Sequence, residues 1–491
     1  MKRNVQMICL ITALSLPWPV FSAPAQSYDD RVVNILVTSQ KHDYGSPWQQ
    51  GEITRSSISG CVIDGNRILT SSYSIADHVL IEVMKKGESR KYSATVEIKD
   101  YHCGLAFLRV EDESFFDGLK PVKLLPAGSM TGRSAKVYKW DSMSSLKEYL
   151  AELTKTSIRF YEPNCGVLMH QFSTGMNEGG TGEPVFIDNM LAGIATGLSA
   201  ETKTLFVIGS DMVHRMVRDA ADGHYDGIPF FWIDGVDLQS DVNLRAYYGV
   251  AAGEGGVLVT HVPVISSGSD VLKKDDIILS IEGHAVDDRG NYDSPYGKLY
   301  FYGLIQLERF VGDEVSMIVL RDRKRTAVKF KLTSVPGGCC TVPLISADSV
   351  PRYYIFGGLI FQELTAGYLE SQGKDWKQMA DKRLLYYYDS IKELSDKGPD
   401  FRIILLSRTL PDPVNKGYQY LKDLVLTGIN GAPVKNLAEM KKIIDGSTDR
   451  FVVFEFAGES TVVLDRERAV KQLKRILMKY NISVPHNLSG K

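Results

Sequence analysis

Asp275-Asp276-Ile277-Ile278-Leu279-Ser280-Ile281-Glu282-Gly283 reads as a short buried strand that runs into a tight turn at glycine, with a second strand beginning at Ala285-Val286. The same pattern returns as Lys422-Asp423-Leu424-Val425-Leu426-Thr427-Gly428-Ile429-Asn430-Gly431, followed by Ala432-Pro433-Val434. Two copies of one small fold are the simplest account. A chain of 491 residues is too long for a single hydrophobic core, and its length suggests about three domains.

Around the first copy, Val257 to Thr260 and Val315 to Leu320 are further strand candidates, and Tyr300 to Phe310 has helical periodicity. These bound a unit over 230–335. Residues 336–352 hold Pro336, Gly337-Gly338, Cys339-Cys340, Pro343 and Pro351 and read as a linker. The second unit covers 353–470. A charged helix from Arg466 to Tyr480 and a polar tail make up the end of the chain, 471–491.

The region 26–222 is different in kind. Val32–Thr38, Cys61–Ile63, Arg67–Ser71, Leu80–Met84, Leu105–Val110 and Phe206–Gly209 are short strand-like runs with turn residues between them. That spacing argues an all-β sandwich or barrel. Met212, Val213, Met216 and Val217 then recur at helical spacing, with Asp211 as the expected cap. The turn Gly223 to Pro229 marks the boundary.

Hydrophobic residues make up 44% and charged residues 24% of the chain, and the net charge is −2. That balance is of an ordinary folded protein and gives no reason to expect a nucleic-acid partner. Residues 1–25 read as an export signal. Lys2 and Arg3 precede an apolar run from Met7 to Leu16, Pro17 and Pro19 break it, and Ala23-Pro24-Ala25 offers a cleavage site after Ala25 or Ala23. The run is shorter than the roughly 20 residues a membrane span needs, and no membrane span is expected once the signal is removed. An uncleaved anchor is the alternative. Cys61, Cys103, Cys165, Cys339 and Cys340 remain after cleavage, and an odd number cannot all form disulfides within the chain. No Cys-x-x-Cys or Cys/His spacing suits zinc, so neither a metal nor a cofactor is expected. Cys339-Cys340 is read as two reduced thiols in a turn.

Taken together these features resemble the HtrA/Deg family of serine proteases over nearly the whole mature chain. The last 140 or so residues are most similar to the organellar Deg branch and its bacterial relatives, through Tyr353-Tyr354-Ile355-Phe356-Gly357-Gly358-Leu359-Ile360-Phe361, Asn415-Lys416-Gly417-Tyr418, Asn430 to Leu437 and Val462-Val463-Leu464-Asp465. The resemblance implies a mainly β chain: a trypsin-like double β-barrel followed by two PDZ-like α/β domains. It also locates the protease triad. Ser59-Gly60-Cys61-Val62-Ile63 and Ile68-Leu69-Thr70-Ser71-Ser72 lead to the histidine position, which holds Tyr73. The aspartate position, directly before Leu105-Ala106-Phe107-Leu108, holds Gly104. Where the family has Gly-Asn-Ser-Gly-Gly-Pro this chain has Gly179-Gly180-Thr181-Gly182-Glu183-Pro184, with Thr181 in the nucleophile's place.

Hydrolysis by a triad needs a base that takes the hydroxyl proton and returns it to the leaving amine. Tyrosine, with a reference pKa near 10, does not accept a proton usefully at neutral pH, and glycine orients nothing. Threonine attacks only with an activating base beside it. No catalytic residue is therefore expected at the degenerate positions Tyr73, Gly104 and Thr181. Replacement groups for a rewired site would have to come from Asp77, His78, Asp100, His102, His170 or Ser173, each of which also reads as a loop or surface residue. Gly179, Gly180 and Thr181 can still form an oxyanion-like loop, the alternative being a flexible turn.

PDZ domains take an extended peptide as an added strand and hold its terminal carboxylate on backbone amides of a glycine-containing loop. By the family pattern those loops are Tyr247-Tyr248-Gly249-Val250 and Phe356-Gly357-Gly358-Leu359, and Val257 to Thr260 and Leu359 to Phe361 would pair with the ligand. The alternative is a groove filled internally, above all in the second unit with its insertion from Leu369 to Asp400. Tyr386-Tyr387-Tyr388 in that insertion reads as a helix packing face. The expected function is an exported pseudoprotease, periplasmic or secreted, that binds peptides or unfolded proteins as a scaffold or chaperone-like factor. The alternatives are an active or weakly active endopeptidase using Thr181, or a regulatory subunit of an active HtrA homologue, with self-assembly into trimers or larger cages.

Overall fold

The computed structural model describes residues 28–490 apart from 129, 131, 142–144, 163, 240, 336–339, 391–396 and 459. The expected signal over 1–25, Cys9 within it, and Cys339 lie outside the described residues. Two closed barrels come first. β1 (Val32–His42), β2 (Gln50–Ile63), β3 (Arg67–Ser71), β4 (His78–Met84), β5 (Tyr92–Asp100) and β6 (Leu105–Val110) close in the order β1-β2-β3-β6-β5-β4. β7 (Ser134–Trp140), β8 (Leu146–Tyr161), β9 (Cys165–Thr174), β10 (Pro184–Ile187), β11 (Met190–Ser199) and β12 (Thr204–Gly209) close as β10-β11-β12-β9-β8-β7. Closure satisfies every strand edge and lets branched side chains fill each interior. Val33, Ile35, Val37, Ile68 and Ile81 fill the first barrel. Val137, Phe172, Val185 and Val207 fill the second. Tyr28, Tyr138 and Phe186 pack against one another where the two barrels meet.

Helix α1 (Ser210–Asp219) closes the second barrel, and a 3-10 turn carries it on to Asp222. Its cap is not Asp211. Gly209 occupies that position, and Asp211 lies in the first turn, where its carboxylate accepts the Tyr296 hydroxyl. The next unit comprises β13 (Asp234–Asp237), α2 (Val242–Tyr248), β14 (Val257–His261), β15 (Ile277–Ile281), β16 (His284–Ala285), β17 (Asn291–Ser294), β18 (Gly297–Tyr300), α3 (Tyr302–Gln306), β19 (Glu314–Arg321) and β20 (Lys324–Lys331). Its sheet runs β13-β14-β15-β19-β20. The helix expected over Tyr300 to Phe310 shrinks to α3, because Tyr300 is drawn into the β17–β18 hairpin opposite Asn291.

The third unit comprises β21 (Tyr353–Phe356), β22 (Leu359–Glu363), α4 (Ala366–Glu370), α5 (Trp376–Met379), α6 (Lys382–Asp389), β23 (Ile404–Thr409), β24 (Leu424–Ile429), β25 (Ala432–Pro433), α7 (Leu437–Gly446), β26 (Phe451–Phe456), β27 (Thr461–Asp465), α8 (Arg466–Lys479) and β28 (His486–Asn487). The repeat read from the sequence is visible here. β15–β16 and β24–β25 are both hairpins whose turns hold two left-handed residues, Glu282-Gly283 (φ +49° and +81°) and Asn430-Gly431 (φ +50° and +76°). A two-residue turn of that hand matches strand twist, which is why glycine ends both runs.

Two stretches expected to be loose are packed. Cys340 and Val342 of the linker are buried with Trp232, Leu364 and Trp376, and the Ala366 amide bonds the Pro343 carbonyl. The polar tail adds β28 to β21, with His486 opposite Tyr354. Ile476 of α8 and Ile482 are buried against Tyr353, Ile355 and Ile360, so the end of the chain shares the third unit's core. The units are also stitched together. Gln306 of α3 accepts the Gly166 amide at 2.5 Å and donates to the Asn164 and Pro229 carbonyls. At the far end, the β1–β2 hairpin tip inserts Tyr44 into the third unit, where Gln362 donates to its carbonyl at 3.0 Å. A Cβ at Gly367 would lie 2.5 Å from the Tyr44 hydroxyl, so only glycine admits that ring.

Candidate active site

β3 ends at Ser71, and the chain turns at once into a 3-10 segment, Tyr73–Ile75. This turn and the one before β6 are tied together, since the Ser72 amide donates to the Gly104 carbonyl at 3.0 Å. Tyr73 and Gly104 are thereby neighbours, as a histidine and an aspartate of a triad would be. The Tyr73 ring is 41% exposed and stacks on Tyr161 at 6.1 Å, while its hydroxyl donates to the Tyr101 carbonyl at 3.1 Å. Loss of solvent around that hydroxyl, with Tyr161 and Asp100 adding to it, raises its pKa well above the ordinary tyrosine value. The phenol stays protonated and is no base. Gly104 has φ +74°, and a Cβ there would meet only Ile208, Thr196 and Tyr161, each at 3.8 Å. Backbone conformation rather than space favours glycine at this turn.

The glycine-rich loop is compressed between the barrels. A Cβ on Gly180 would fall 2.3 Å from the Gly197 backbone, and one on Gly182 2.4 Å from the Thr70 hydroxyl. Thr181 at the centre of the loop is half-buried. Its amide donates to Glu183 Oε2 at 2.7 Å and its hydroxyl to Glu183 Oε1 at 3.1 Å. Glu183 is fully buried. Desolvation raises its pKa, opposed by the hydrogen bonds from the Thr181 and Glu183 amides. Among the described residues no histidine bonds to Thr181.

The replacement groups are engaged elsewhere. His78 Nδ1 faces the Ile75 carbonyl at 2.9 Å, and His102 Nδ1 faces the Glu162 carbonyl at 3.0 Å. Asp100 accepts the His102 amide and the Tyr225 hydroxyl. His170 is fully buried on β9, bonded through Nδ1 to Thr156 at 2.9 Å, and burial lowers its pKa to about 4. Ser173 lies on the same strand, exposed, with its backbone opposite Thr204. Asp77 exchanges hydrogen bonds with Asp348 of the linker: each backbone amide donates to the other's carboxylate, at 2.7 and 2.8 Å. Asp348 also holds Lys99 and accepts the Tyr101 hydroxyl at 2.5 Å. The linker is therefore latched beside Tyr73. Together with Trp376, Lys377 and Tyr388 of the insertion it roofs a cavity of about 450 Å³ whose floor is Tyr73, Tyr161, Thr196 and Gly197. Among the described residues no group of three or more His, Cys, Asp or Glu is placed to hold a metal ion.

A family model for the PDZ domain matches residues 342–489. Protease Do-like 2, chloroplastic, of Arabidopsis thaliana is 28% identical over 473 residues, 94% of this chain and 76% of the relative. Protease Do-like 4, mitochondrial, of the same plant is 26% identical over 460 residues, 92% and 83% of the two chains. Over nearly its whole length, then, the chain is similar to proteases of the HtrA/Deg type, with a PDZ domain at its C-terminal end. Its fold also matches a solved HtrA-type protease, AlgW with tripeptide, with a TM-score of 0.50 and 16% identity over 63% of this chain and 95% of that one.

Within the HtrA/Deg plan, neither expected carboxylate loop is open in this structure. Tyr247 and Tyr248 form the last turn of α2, with Gly249 as its left-handed cap at φ +77°. The Gly249 amide bonds the Ala246 and Arg245 carbonyls, and the Val250 amide bonds Arg245 at 2.9 Å. These amides close a helix end instead of facing a ligand. β14, expected to pair with a peptide, is already flanked by β13 and β15. In the third unit Gly357-Gly358 form a two-residue turn joining Phe356 to Leu359, so β22 lies between β21 and β23. Asn415 donates to the Gly357 carbonyl at 2.8 Å and the Leu410 amide to the Gly358 carbonyl at 2.7 Å. This groove is filled by the chain itself. Of the tyrosine run, Tyr387 and Tyr388 pack on the third unit's core and Tyr386 is 64% exposed.

Sequence reasoning overlooked Glu183, Asp348 and Gln306. Glu183 carried a signal, since it stands in the family motif where glycine is expected. Asp348 and Gln306 carried none, because their partners lie far away in sequence.

Proposed function

We propose that this chain is a non-hydrolytic HtrA/Deg protein, exported through its N-terminal signal, that holds peptides or unfolded chains as a scaffold or chaperone-like factor. The observation that carries the reading is Thr181, whose hydroxyl and amide both serve a buried glutamate while the histidine position holds a protonated phenol. Removing or displacing any one triad member costs several powers of ten in rate, and all three are replaced here. No helix among the described residues is long and apolar enough to cross a membrane.

Peptide capture is assigned to the first PDZ-like unit. α2 spans seven residues and buries no side chain completely, so unwinding its last turn to free the Gly249 and Val250 amides costs little. Opening the third unit's groove would require pulling out β21, which is fully buried and paired on both edges.

The test is cleavage of casein by the mature chain, by Thr181→Ala, and by a Tyr73→His, Gly104→Asp, Thr181→Ser variant. Inert wild type supports the reading. Cleavage by wild type that is lost in Thr181→Ala refutes it. Co-purification with an active homologue would turn the scaffold into a regulatory subunit.

A further inference from the structure

A trypsin-like site binds the developing oxyanion on two backbone amides, that of the nucleophile and that of the residue two before it. In this chain these belong to Thr181 and Gly179. The Thr181 amide is turned to Glu183 Oε2 at 2.7 Å, and that carboxylate has no solvent exposure. The other oxygen takes the Thr181 hydroxyl and lies 3.1 Å from where a Gly179 Cβ would be. An amide that points at a fully buried acceptor does not point into an open cleft. Two hydrogen bonds to one buried side chain, from the amide and from the hydroxyl, hold Thr181 in this geometry.

We propose that Glu183 is a positioning residue that keeps the oxyanion loop collapsed, so that restoring the three triad residues alone does not restore a working site. The inference rests on the non-hydrolytic reading above but is separable from it. Glycine, which the family motif carries at this position, offers the Thr181 amide no internal acceptor. Glutamate supplies one and uses the hydroxyl as well. Three other features of the loop already suit catalysis: Gly179, Gly180 and Gly182 all have the positive φ that such a loop exploits, at +152°, +78° and +105°.

The experiment compares the Tyr73→His, Gly104→Asp, Thr181→Ser variant with the same variant carrying Glu183→Gly, each as the full mature chain, on an unfolded protein and on a chromogenic peptide. One oxyanion donor is worth about 100-fold in kcat, so the added Glu183→Gly change is expected to raise kcat by about that factor with KM little altered. Equal kcat in the two variants overturns the proposal. A crystal structure of the otherwise wild-type chain with Glu183→Gly gives an answer that does not depend on turnover. The Thr181 amide is expected to face the cleft, and an unchanged loop overturns the proposal. Should the glycine variant not fold, Glu183→Met keeps most of the volume and removes both acceptor oxygens. Its Thr181 amide is expected to exchange with deuterium at least tenfold faster than in wild type, and equal protection counts against the proposal. Cleavage by wild type would sink the non-hydrolytic reading instead, and so is a distinct failure.

Discussion

His170 sets an acid limit on this fold that can be worked out from its surroundings. The ring is fully buried on β9, with Thr156 Oγ1 at 2.9 Å from Nδ1 and, among the described residues, no hydrogen-bond partner at Nε2. Tyr296 and Phe172 pack against it, and a Cβ at Gly209 would lie 2.8 Å from Nε2. A protonated imidazole would need an acceptor on that nitrogen and finds none, which is why burial lowers its pKa from 6.5 to about 4. The folded value lies below the unfolded one, so below pH 6.5 the unfolded chain binds a proton that the folded chain refuses. His170 therefore leaves stability unaffected above about pH 6.5, lowers it as the pH drops from 6.5 toward 4, and lowers it no further below that, where both states bind the proton. The difference in pKa corresponds to about 3 kcal/mol. Glu183, Asp211 and Glu363 have raised pKa values and contribute in the opposite sense, so the measurement must cancel them. Urea unfolding of wild type and His170→Gln at pH 7.5, 6, 5 and 4.5 does so, because those carboxylates are common to both. The wild type is expected to lose stability relative to the variant by most of those 3 kcal/mol across the series. A difference between the two that does not vary with pH would refute the argument.

Two further outcomes follow from side-chain networks. The Asp241 carboxylate caps α2 by accepting the Leu244 amide at 2.7 Å, and its loss weakens a helix by about 1 kcal/mol. If α2 must unwind to admit a peptide, Asp241→Ala tightens peptide binding, by up to about fivefold; fluorescence anisotropy showing unchanged or weaker binding would contradict that route. Gln306→Ala strands the buried Gly166 amide and two carbonyls between the second barrel and the first PDZ-like unit, at a cost of about 2–4 kcal/mol in thermal or urea unfolding. A loss below about 0.5 kcal/mol would mean that water replaces the glutamine.

What the sequence disclosed, and what it hid, divides along a physical line. Strands of 26–222 and the repeated strand–turn–strand of the two PDZ-like units are local: a short apolar run is buried within one segment, and the turn needs Asn-Gly or Glu-Gly in left-handed conformations at 430–431 and 282–283. Tyr73, Gly104 and Thr181 could be put forward as the triad positions for the same reason, each standing beside a strand-like run in the sequence. The closed grooves were not. The sequence around Tyr248-Gly249-Val250 suits a carboxylate loop and a helix end equally, because both use a left-handed glycine and its neighbouring amides. Only the competition between an intrahelical carbonyl and an absent ligand decides, and that is a matter of state rather than of sequence. Glu183 belongs between these cases. Its position in the motif was visible, yet its meaning depends on a side chain folding back two residues onto its own loop. A carboxylate in place of glycine can be a surface substitution or an internal acceptor, and burial alone separates them. Glu183 is buried and bonded to Thr181, so on the non-hydrolytic reading proposed above the changes at this site extend past the three side-chain positions to a backbone donor.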